Sequence, residues 1–444
     1  AESYSLNEDG TEITFKLREG LTCHDGEALT AEDVVYTFQR AADPANAFTG
    51  NTPGFIFASV AYQDARVDSE LEATIILARY QSIALGLLSE VQIHCKDSYE
   101  AMSLEEAANN PVGSGPYRFV RWVKDDYIEM EKVEGFDLVD ANFDRIVWRV
   151  IPESSTRSAE LIAGNVDIIA NIPPDQHDAV NASDLAQVQP VAGLRRIFVG
   201  FNLTDTFDTV ATEALRKTEV RVALQYAIDV PTICAALLGV DCERATGLVN
   251  SPNANPNLTP YAYDPQKAEE LLDAAGYPRG ADGVRFDVTL MAGRNRYLND
   301  VNVVQAICQY LDDIGVRTNC NLMEFAAEFI PLLVSQQAGE LYFVGSGGGN
   351  WNPLYEMADF ANENSNPNYG RWTNPEWFER WRSLANVRDA EEERRIVNEM
   401  LEVFYNDPPW LLLYFQPDFY GVSNRLDWQA RRDEKIYVWN AGLK

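Results

Sequence analysis

Strand-like and helix-like segments alternate in the second half of the chain, and this alternation constrains the fold more than any other feature. Residues 286–291 and 316–323 have the apolar runs of strands, and residues 301–314 between them have a helical period. A further helix is predicted over residues 325–336 and a strand over residues 341–344. Because strand–helix–strand units build layered folds, the sequence predicts an α/β protein.

Capping residues indicate where several helices begin. Thr30 offers a hydroxyl and Asp33 an acid three positions later, which is the pattern of a capping box. Asp264 and Pro265 predict the start of another helix, and Gly276 predicts its end. The other predicted strands are at residues 12–18, 117–123, 127–133, 145–151, 166–169, 194–202 and 408–414. Turn residues at 7–10 and at 124–126 predict two hairpins. The other predicted helices are at residues 220–229, from Ser155 or Thr156 to Gly164, and one that opens with residues 388–395.

Composition limits the classes of partner. The 444 residues include 36 Lys and Arg against 68 Asp and Glu, so the formal net charge is −32. This charge repels nucleic acid and anionic membrane surfaces, and we expect no nucleic-acid partner. The length predicts two or three domains. No apolar run approaches the roughly 20 residues that span a bilayer.

The cysteines have no C-x-x-C spacing and the chain has only three histidines, so neither a zinc site nor a redox motif is expected. Such cysteines either form disulfides, which require an oxidising compartment, or stay as free buried thiols. Proximity along the chain favours the pairs Cys234–Cys242 and Cys308–Cys320, which leaves Cys23–Cys95.

The first residues carry a resemblance to a known family. Residues 1–26 read AESYSLNEDGTEITFKLREGLTCHDG and continue with EALTAEDVVYTFQRA. They resemble the diagnostic region of the peptide/nickel class, family 5, of extracytoplasmic substrate-binding proteins that serve ABC importers. Residues 112–122, 220–229 and 263–277 are similar to further patterns of this family. The resemblance therefore runs through essentially the whole chain.

The chain departs from the family pattern in two places. Cys23 stands where the family usually has an aromatic residue before His-Asp-Gly. In the family this region lies some way into the mature chain, behind a segment that contributes a strand to the first lobe. The resemblance therefore implies that an amino-terminal segment, with any signal sequence or lipid-anchored end, is missing from this sequence.

The resemblance implies a two-lobed periplasmic-binding-protein-like α/β fold with two interlobe crossings. The first lobe would be discontinuous and would carry an extra subdomain. We expect the subdomain at residues 1–115, the core of lobe one at residues 116–204 and 416–444, and lobe two at residues 205–415. The first hinge is predicted near residues 202–208.

The best candidate for ligand contact is the glycine run that follows the strand at residues 341–344 and ends in Asn350, Trp351 and Asn352. Glycines permit close approach of a ligand to the backbone. The alternative is a flexible surface loop in which Trp351 anchors the core. In peptide-binding relatives an aspartate in this segment binds the α-amino group, and Asn352 stands nearest that position. An amide lacks the charge, which weakens a free-peptide assignment.

The loop before the helix at residues 301–314 is the second candidate. In dipeptide-binding relatives an arginine of this loop holds the ligand carboxylate, and Arg294 is the nearest match, with Arg296 second. A guanidinium fork suits a carboxylate, although exposed arginines are common. Tyr297, Tyr355 and Trp372 could supply stacking walls, or they could serve ordinary packing.

These observations predict a solute-binding receptor of an ABC import system that delivers a peptide or peptide-like amphiphile to a membrane permease. An oligosaccharide, an opine-like conjugate or a nickel chelate is the alternative ligand. A glycoside-cleaving enzyme is a remote alternative, since no catalytic motif appears. We expect a monomer without cofactor or resident metal, located in the periplasm or anchored by lipid to the outer face of the cytoplasmic membrane.

Overall fold

The computed structural model describes the chain except for residues 49, 243, 250–252, 348–351 and 366–367. The chain divides into two compact units. The first contains Ala1–Arg157, Asn424–Gln429 and Ile436–Lys444, and the second contains Ser158–Ser423 and Ala430–Lys435. The predicted segments 1–115, 116–204, 205–415 and 416–444 do not end where these units end, so the assignment of these segments to lobes stays a prediction.

Short strands and helices alternate along the chain. The strands are β1 (Ser3–Leu6), β2 (Glu12–Lys16), β3 (Tyr62–Ser69), β4 (Glu72–Leu77), β5 (Tyr117–Val123), β6 (Tyr127–Lys132), β7 (Arg145–Arg149), β8 (Ile168–Ile169), β9 (Ala186–Phe201), β10 (Phe286–Arg294), β11 (Val316–Glu324), β12 (Leu341–Ser346), β13 (Trp410–Ser423), β14 (Leu426–Asp427) and β15 (Gly442–Leu443). The α-helices are α1 (Ala31–Ala42), α2 (Phe57–Val60), α3 (Ala84–Leu88), α4 (Lys96–Ala101), α5 (Leu104–Asn109), α6 (Ser154–Ile162), α7 (His177–Asn181), α8 (Val210–Arg216), α9 (Thr218–Tyr226), α10 (Val230–Ile233), α11 (Pro265–Ala274), α12 (Asp300–Asp313), α13 (Ile330–Val334), α14 (Pro353–Met357), α15 (Pro375–Ser383) and α16 (Ala390–Asn406).

The first unit begins with the predicted hairpin. β1 pairs with β2, and the sheet continues with β4 and β3. Thr30 and Asp33 form the expected capping box at the start of α1, where Thr30 accepts from the backbone of Glu32 and Asp33 accepts from the backbone of Thr30. β5, β6 and β7 form a separate antiparallel sheet, which confirms the second predicted hairpin.

His24 and the first disulfide fasten the turn of residues 23–26. The backbone of Gly113 donates to Nδ1 of His24, so Nε2 carries the proton and donates to the Gly115 carbonyl at 2.9 Å. Cys23 and Cys95 are bonded with their Cα atoms 6.0 Å apart. The two other predicted disulfides are also present, with Cα separations of 5.9 and 6.6 Å, in the pairs Cys234–Cys242 and Cys308–Cys320.

The second unit is built on a six-stranded sheet in the order β11-β10-β12-β9-β13-β8. β10 runs parallel to β11 and β12, whereas β9 runs antiparallel to β12 and β13. α12 connects β10 to β11, and a π-helical turn with α13 connects β11 to β12. This arrangement confirms the α/β alternation predicted from the sequence.

Two predicted helix boundaries were wrong. α6 begins at Ser154, so Ser155 and Thr156 lie inside the helix, because the amide of Arg157 already donates to the Glu153 carbonyl. The helix predicted over residues 325–336 is instead a π-helical turn, Phe325–Phe329, followed by α13. Pro331 has no amide proton to donate one turn back, which interrupts a regular α-helical ladder.

Asp407 organises the aromatic core of the second unit. Its carboxylate accepts hydrogen bonds from Trp372 Nε1 at 2.9 Å and Thr218 Oγ1 at 2.7 Å, and it forms an ion pair with Arg221. Arg221 is buried and also donates to the Pro408 and Leu215 carbonyls. Through these bonds Asp407 joins helix α9, the loop that precedes α15 and the residues just before β13.

Within the described residues no single helix has both the length and the apolar composition to cross a membrane. One pair of helices, Thr218–Tyr226 and Val230–Leu238, meets both requirements jointly, but the two are bent by 50°.

Removing the Asp407 carboxylate should strongly destabilise the chain, because it leaves the Arg221 charge buried without its counter-ion. Asp407→Ala should lower the free energy of unfolding by about 3–5 kcal/mol in urea denaturation. Asp205→Ala is the matched control, since Asp205 pairs with Arg216 but is fully exposed, and it should cause no measurable change. Equal losses in both variants would contradict the role of Asp407.

Candidate functional site

The loop after β10, residues 295–299, is fixed by the Asp300 carboxylate. This carboxylate accepts the amides of Asn295, Arg296 and Tyr297 at 3.2, 2.8 and 2.9 Å. Asn295 and Asn299 have left-handed backbones with φ of 64° and 51°, a conformation that asparagine tolerates better than most residues. The loop is therefore held in one conformation at the carboxyl end of β10.

Arg296 is the better placed of the two predicted arginines. Its guanidinium carbon lies 5.2 Å from the Tyr297 ring centroid and 5.8 Å from that of Phe325. Arg294 is exposed at the end of β10, opposite Glu324 in the strand register. Among the described residues, neither guanidinium is within ion-pair distance of a carboxylate. The guanidinium N–H donors of Arg296 are thus held in place by aromatic rings, and no carboxylate of the described residues pairs with them.

Tyr297 links this loop to the end of β12. It is buried, its hydroxyl donates to the Gly345 carbonyl at 3.2 Å, and its ring packs edge-on against Phe325 and Phe343. Burial raises the pKa of Tyr297, so the hydroxyl stays protonated. Its contacts are those of a packing residue that also stacks under Arg296, and its ligand role stays a prediction.

The other predicted residues are only partly brought to this loop. Asn352 caps α14 by accepting from the Leu354 amide at 2.9 Å, and half-buried Tyr355 faces the Arg196 charge. Trp372 is 1% exposed and packs against Phe360, in the cluster held by Asp407. Asn350 and Trp351 lie outside the described residues, so their predicted roles are not addressed by the structure.

Adjacent arginines on β9 were missed by the sequence reading. Arg196 is buried and donates to the Leu248 carbonyl at 2.9 Å, to Ser346 Oγ at 2.5 Å and to Asp359 Oδ2 at 2.9 Å. It also forms an ion pair with Glu356. Burial lowers the pKa of Arg196 and raises that of Asp359, while their mutual attraction opposes both shifts. One arginine is therefore shared by two buried acids beside the end of β12.

Arg195 points to a different partner. Its Nε and Nη2 donate to the two carboxylate oxygens of Glu434 at 2.7 and 2.5 Å, and its guanidinium carbon lies 6.0 Å from the Tyr297 ring centroid. Burial lowers the pKa of Arg195, but the bonds to Glu434 outweigh it and the net shift is upward. A signal was present in the sequence, since two arginines inside a buried strand of an acidic chain need dedicated partners.

Asp418 is the second group missed by the sequence reading. It is 3% exposed, and Gln416 Nε2 donates to its Oδ1 at 3.2 Å, whereas Oδ2 has no hydrogen-bond partner among the described residues. A Cβ at Gly193 would lie 2.5 Å from Oδ2, so only glycine fits opposite this carboxyl. Burial and the Glu434 charge raise the pKa of Asp418 to about 7, against the opposing charges of Arg195 and Arg296.

Gln416 connects these groups to the loop of residues 295–299. Its side-chain oxygen accepts the Leu298 amide at 3.0 Å while its nitrogen donates to Asp418. The structure thus brings Arg195, Arg296 and Tyr297 into one cluster with Gln416 and Asp418 of β13. Among the described residues, no three His, Cys, Asp or Glu side chains are grouped to hold a metal ion.

Comparison with known proteins gives consistent matches. A family model described as bacterial extracellular solute-binding proteins, family 5 middle, matches residues 1–368. The glutathione-binding protein GsiB of Pectobacterium atrosepticum is 28% identical over 426 residues, covering 93% of this chain and 79% of the relative.

Solved structures of similar fold cover nearly the whole chain. NikZ of Campylobacter jejuni, in complex with Ni(L-His), has a TM-score of 0.86 at 22% identity and covers 99% of this chain and 89% of its own. A dipeptide-binding protein of a Pseudoalteromonas species, in complex with Met-Leu, has a TM-score of 0.86 at 21% identity. The match covers 100% of this chain and 90% of that protein. These matches confirm the predicted fold class.

The buried Asp418 carboxyl should make stability depend on pH. Because its pKa is raised on folding, the folded chain binds more protons than the unfolded chain between about pH 4 and about pH 7. The free energy of unfolding should therefore fall as the pH rises through this window. Asp418→Asn should remove that part of the fall, and at pH 8 it should be more stable than the wild type by up to about 4 kcal/mol.

Urea denaturation at pH 5, 6, 7 and 8 measures this difference. Asp287→Asn is the control, since Asp287 is an exposed acid paired with Arg317, and it should keep the wild-type slope. A wild-type curve and an Asp418→Asn curve that run parallel would show that Asp418 is ionised throughout this range.

Proposed function

Because the chain belongs to the bacterial extracellular solute-binding proteins, family 5, we propose that it binds a short peptide or peptide-like solute for an ABC import system. Members of this family work outside the cytoplasm. For this chain we propose a periplasmic or lipid-anchored receptor that hands its ligand to a membrane permease without making or breaking a bond. Binding would shift the population of conformations toward the one that the permease accepts.

The unpaired guanidinium of Arg296 carries the proposal for a carboxylate-bearing ligand. Among the described residues its guanidinium forms no ion pair, although the chain has nearly two acids for each base. The aromatic rings of Tyr297 and Phe325 hold this guanidinium, and Asp300 fixes its backbone. A fork of donors that is oriented before binding suits a planar carboxylate such as a peptide carboxyl terminus.

The comparisons guide the choice of ligands to test. A relative is named for glutathione, and a structural neighbour was solved with a dipeptide. A second neighbour was solved with a nickel complex of histidine, an amino acid that carries one carboxylate. Glutathione, Met-Leu and nickel with L-histidine are therefore the first ligands to examine, with an oligosaccharide as the competing class.

Calorimetric titration with these ligands should give saturable binding of at least one carboxylate-bearing solute. Arg296→Gln should weaken that binding by about 10-fold or more, because it removes a charge-assisted pair of hydrogen bonds. Arg294→Gln is the matched control in the same loop and should change affinity less, because Arg294 is exposed and not held by aromatic rings. Binding of oligosaccharides alone would reject the peptide proposal.

Restoring a carboxylate at position 352 should favour ligands with a free amino group. Asn352→Asp keeps an oxygen that can cap α14, so the helix should be preserved. The variant should bind Met-Leu about 5-fold to 10-fold more tightly than the wild type. N-acetyl-Met-Leu is the matched ligand and should show no gain. If the affinities for Met-Leu and N-acetyl-Met-Leu rose equally, the α-amino group would not bind at residue 352.

A further inference from the structure

Two guanidinium groups approach the same tyrosine, but only one of them is free. Arg296 lies over Tyr297 without a carboxylate partner among the described residues, whereas Arg195 lies 6.0 Å from the same ring centroid and is bonded to Glu434. The Arg195 side chain is 15% exposed and that of Glu434 31% exposed. This ion pair therefore stays in reach of solvent, unlike the enclosed pair of Arg196 and Asp359.

The geometry of the Arg195 pair is that of ligand recognition by a guanidinium. Both carboxylate oxygens of Glu434 accept from Arg195, one from Nε and one from Nη2, at 2.7 and 2.5 Å. This two-bond fork is the arrangement in which arginine binds a free carboxylate. Glu434 therefore occupies the position that a carboxylate of a bound solute would take.

Glu434 lies in a short segment, residues 430–435, that places its carboxylate beside Arg195. Residues 430–435 belong to the second unit, whereas Asn424–Gln429 before them and Ile436–Lys444 after them belong to the first. Arg432 Nε donates to the Ala192 carbonyl at 2.6 Å, and the Ala430 amide donates to Gln189 Oε1 at 3.1 Å. The segment thus runs beside β9, with Ala430, Arg432 and Glu434 in polar contact with Gln189, Ala192 and Arg195.

Glu434 itself has a left-handed backbone with φ of 60°. This conformation is unfavourable for a residue with a Cβ unless surrounding contacts impose it, and such residues often occur at ligand clamps and switches. The Arg195 fork is the strongest contact that the structure gives this side chain. Loss of that contact would release the segment from an unfavourable conformation, which lowers the cost of exchanging Glu434 for another carboxylate.

We propose that Arg195 is a second carboxylate subsite, that Glu434 is its internal occupant, and that a solute with two carboxylates displaces Glu434 while its other carboxylate pairs with Arg296. This inference rests on the proposed function and narrows the ligand class to short acidic peptides or similar dicarboxylates. The exchange replaces one Arg–carboxylate fork by another, so the number of charge-assisted hydrogen bonds is conserved. Glu434 acts as a competitor that a solute with one carboxylate does not need to displace.

A purely structural ion pair makes the opposite prediction. If the pair only fastens residues 430–435 to β9, removing the Glu434 charge should loosen the segment and leave affinity unchanged or lower. If Glu434 is a competitor, its removal should raise affinity, and only for a ligand that carries the second carboxylate. The direction of the change therefore separates the two roles.

The test uses alanyl-glutamate and alanyl-glutamine, which differ in the second carboxylate alone. In calorimetric titrations, Glu434→Gln should bind alanyl-glutamate about 10-fold more tightly than the wild type and bind alanyl-glutamine within about 2-fold of it. Arg195→Gln should lose the preference for alanyl-glutamate, and Arg195→Lys should lose part of it, because lysine keeps the charge without the fork. Circular dichroism of each variant establishes that it is folded.

Glu269→Gln is the matched control for charge. Glu269 also forms a two-bond pair with an arginine, Arg279, at 3.0 Å for both bonds, so this substitution makes the same change in net charge and should not alter either affinity. Unchanged or weaker binding of alanyl-glutamate by folded Glu434→Gln, with alanyl-glutamine still bound, would overturn this inference alone. Absence of binding of both dipeptides in every variant would overturn this inference and the proposed peptide function together.

Discussion

The pairing of β9 with β13 is the interaction on which the second unit depends. The strands have 16 and 14 residues and stay paired from Trp410 opposite Gly200 to Ser423 opposite Ala186. The register shifts twice, and the second shift lies between Phe415 and Pro417, beside Gln416 and Asp418. Because a bulge redirects side chains, Gln416 in this irregular stretch can reach both the Leu298 amide and the Asp418 carboxyl. Strand pairing thus contributes to fixing the loop of residues 295–299.

The excess of acids over bases in the chain affects how the arginines near this strand pair are bonded. A surplus of acids supplies many arginines with carboxylate partners, and buried Arg196 and Arg221 are paired in this way. Burial of a charge is tolerated only when it is compensated by hydrogen bonds and a counter-ion. Arg296 forms no ion pair among the described residues, and it packs against two aromatic rings while staying partly exposed. That difference separates a structural guanidinium from one available to a ligand.

Local signals in the sequence predicted the elements better than the site. The capping box of Thr30 and Asp33, the hairpins of the first unit and the α/β alternation depend on neighbouring residues, and the structure confirms them. The disulfides Cys234–Cys242 and Cys308–Cys320 followed from proximity along the chain, whereas Cys23–Cys95, 72 residues apart, was the pair that remained. The pair of Arg195 and Glu434 joins residues 239 positions apart, and no local pattern encodes such a contact. The loop that carries Arg294, Arg296 and Tyr297 was singled out beforehand because it directly follows a predicted strand, and the ligand roles of these residues stay predictions.

Rigidity of the loop at residues 295–299 explains how one arginine could contribute strongly to binding. Arginine loses side-chain freedom when it is immobilised, and that loss opposes association. Here the backbone is fixed by three amides on Asp300, and the Leu298 amide is held by Gln416. Stacking on Tyr297 then limits the remaining side-chain freedom of Arg296. Much of the ordering cost is therefore met by folding, and Gln416, which restrains this loop, also donates to Asp418, a carboxyl that the charges of Arg195 and Glu434 influence.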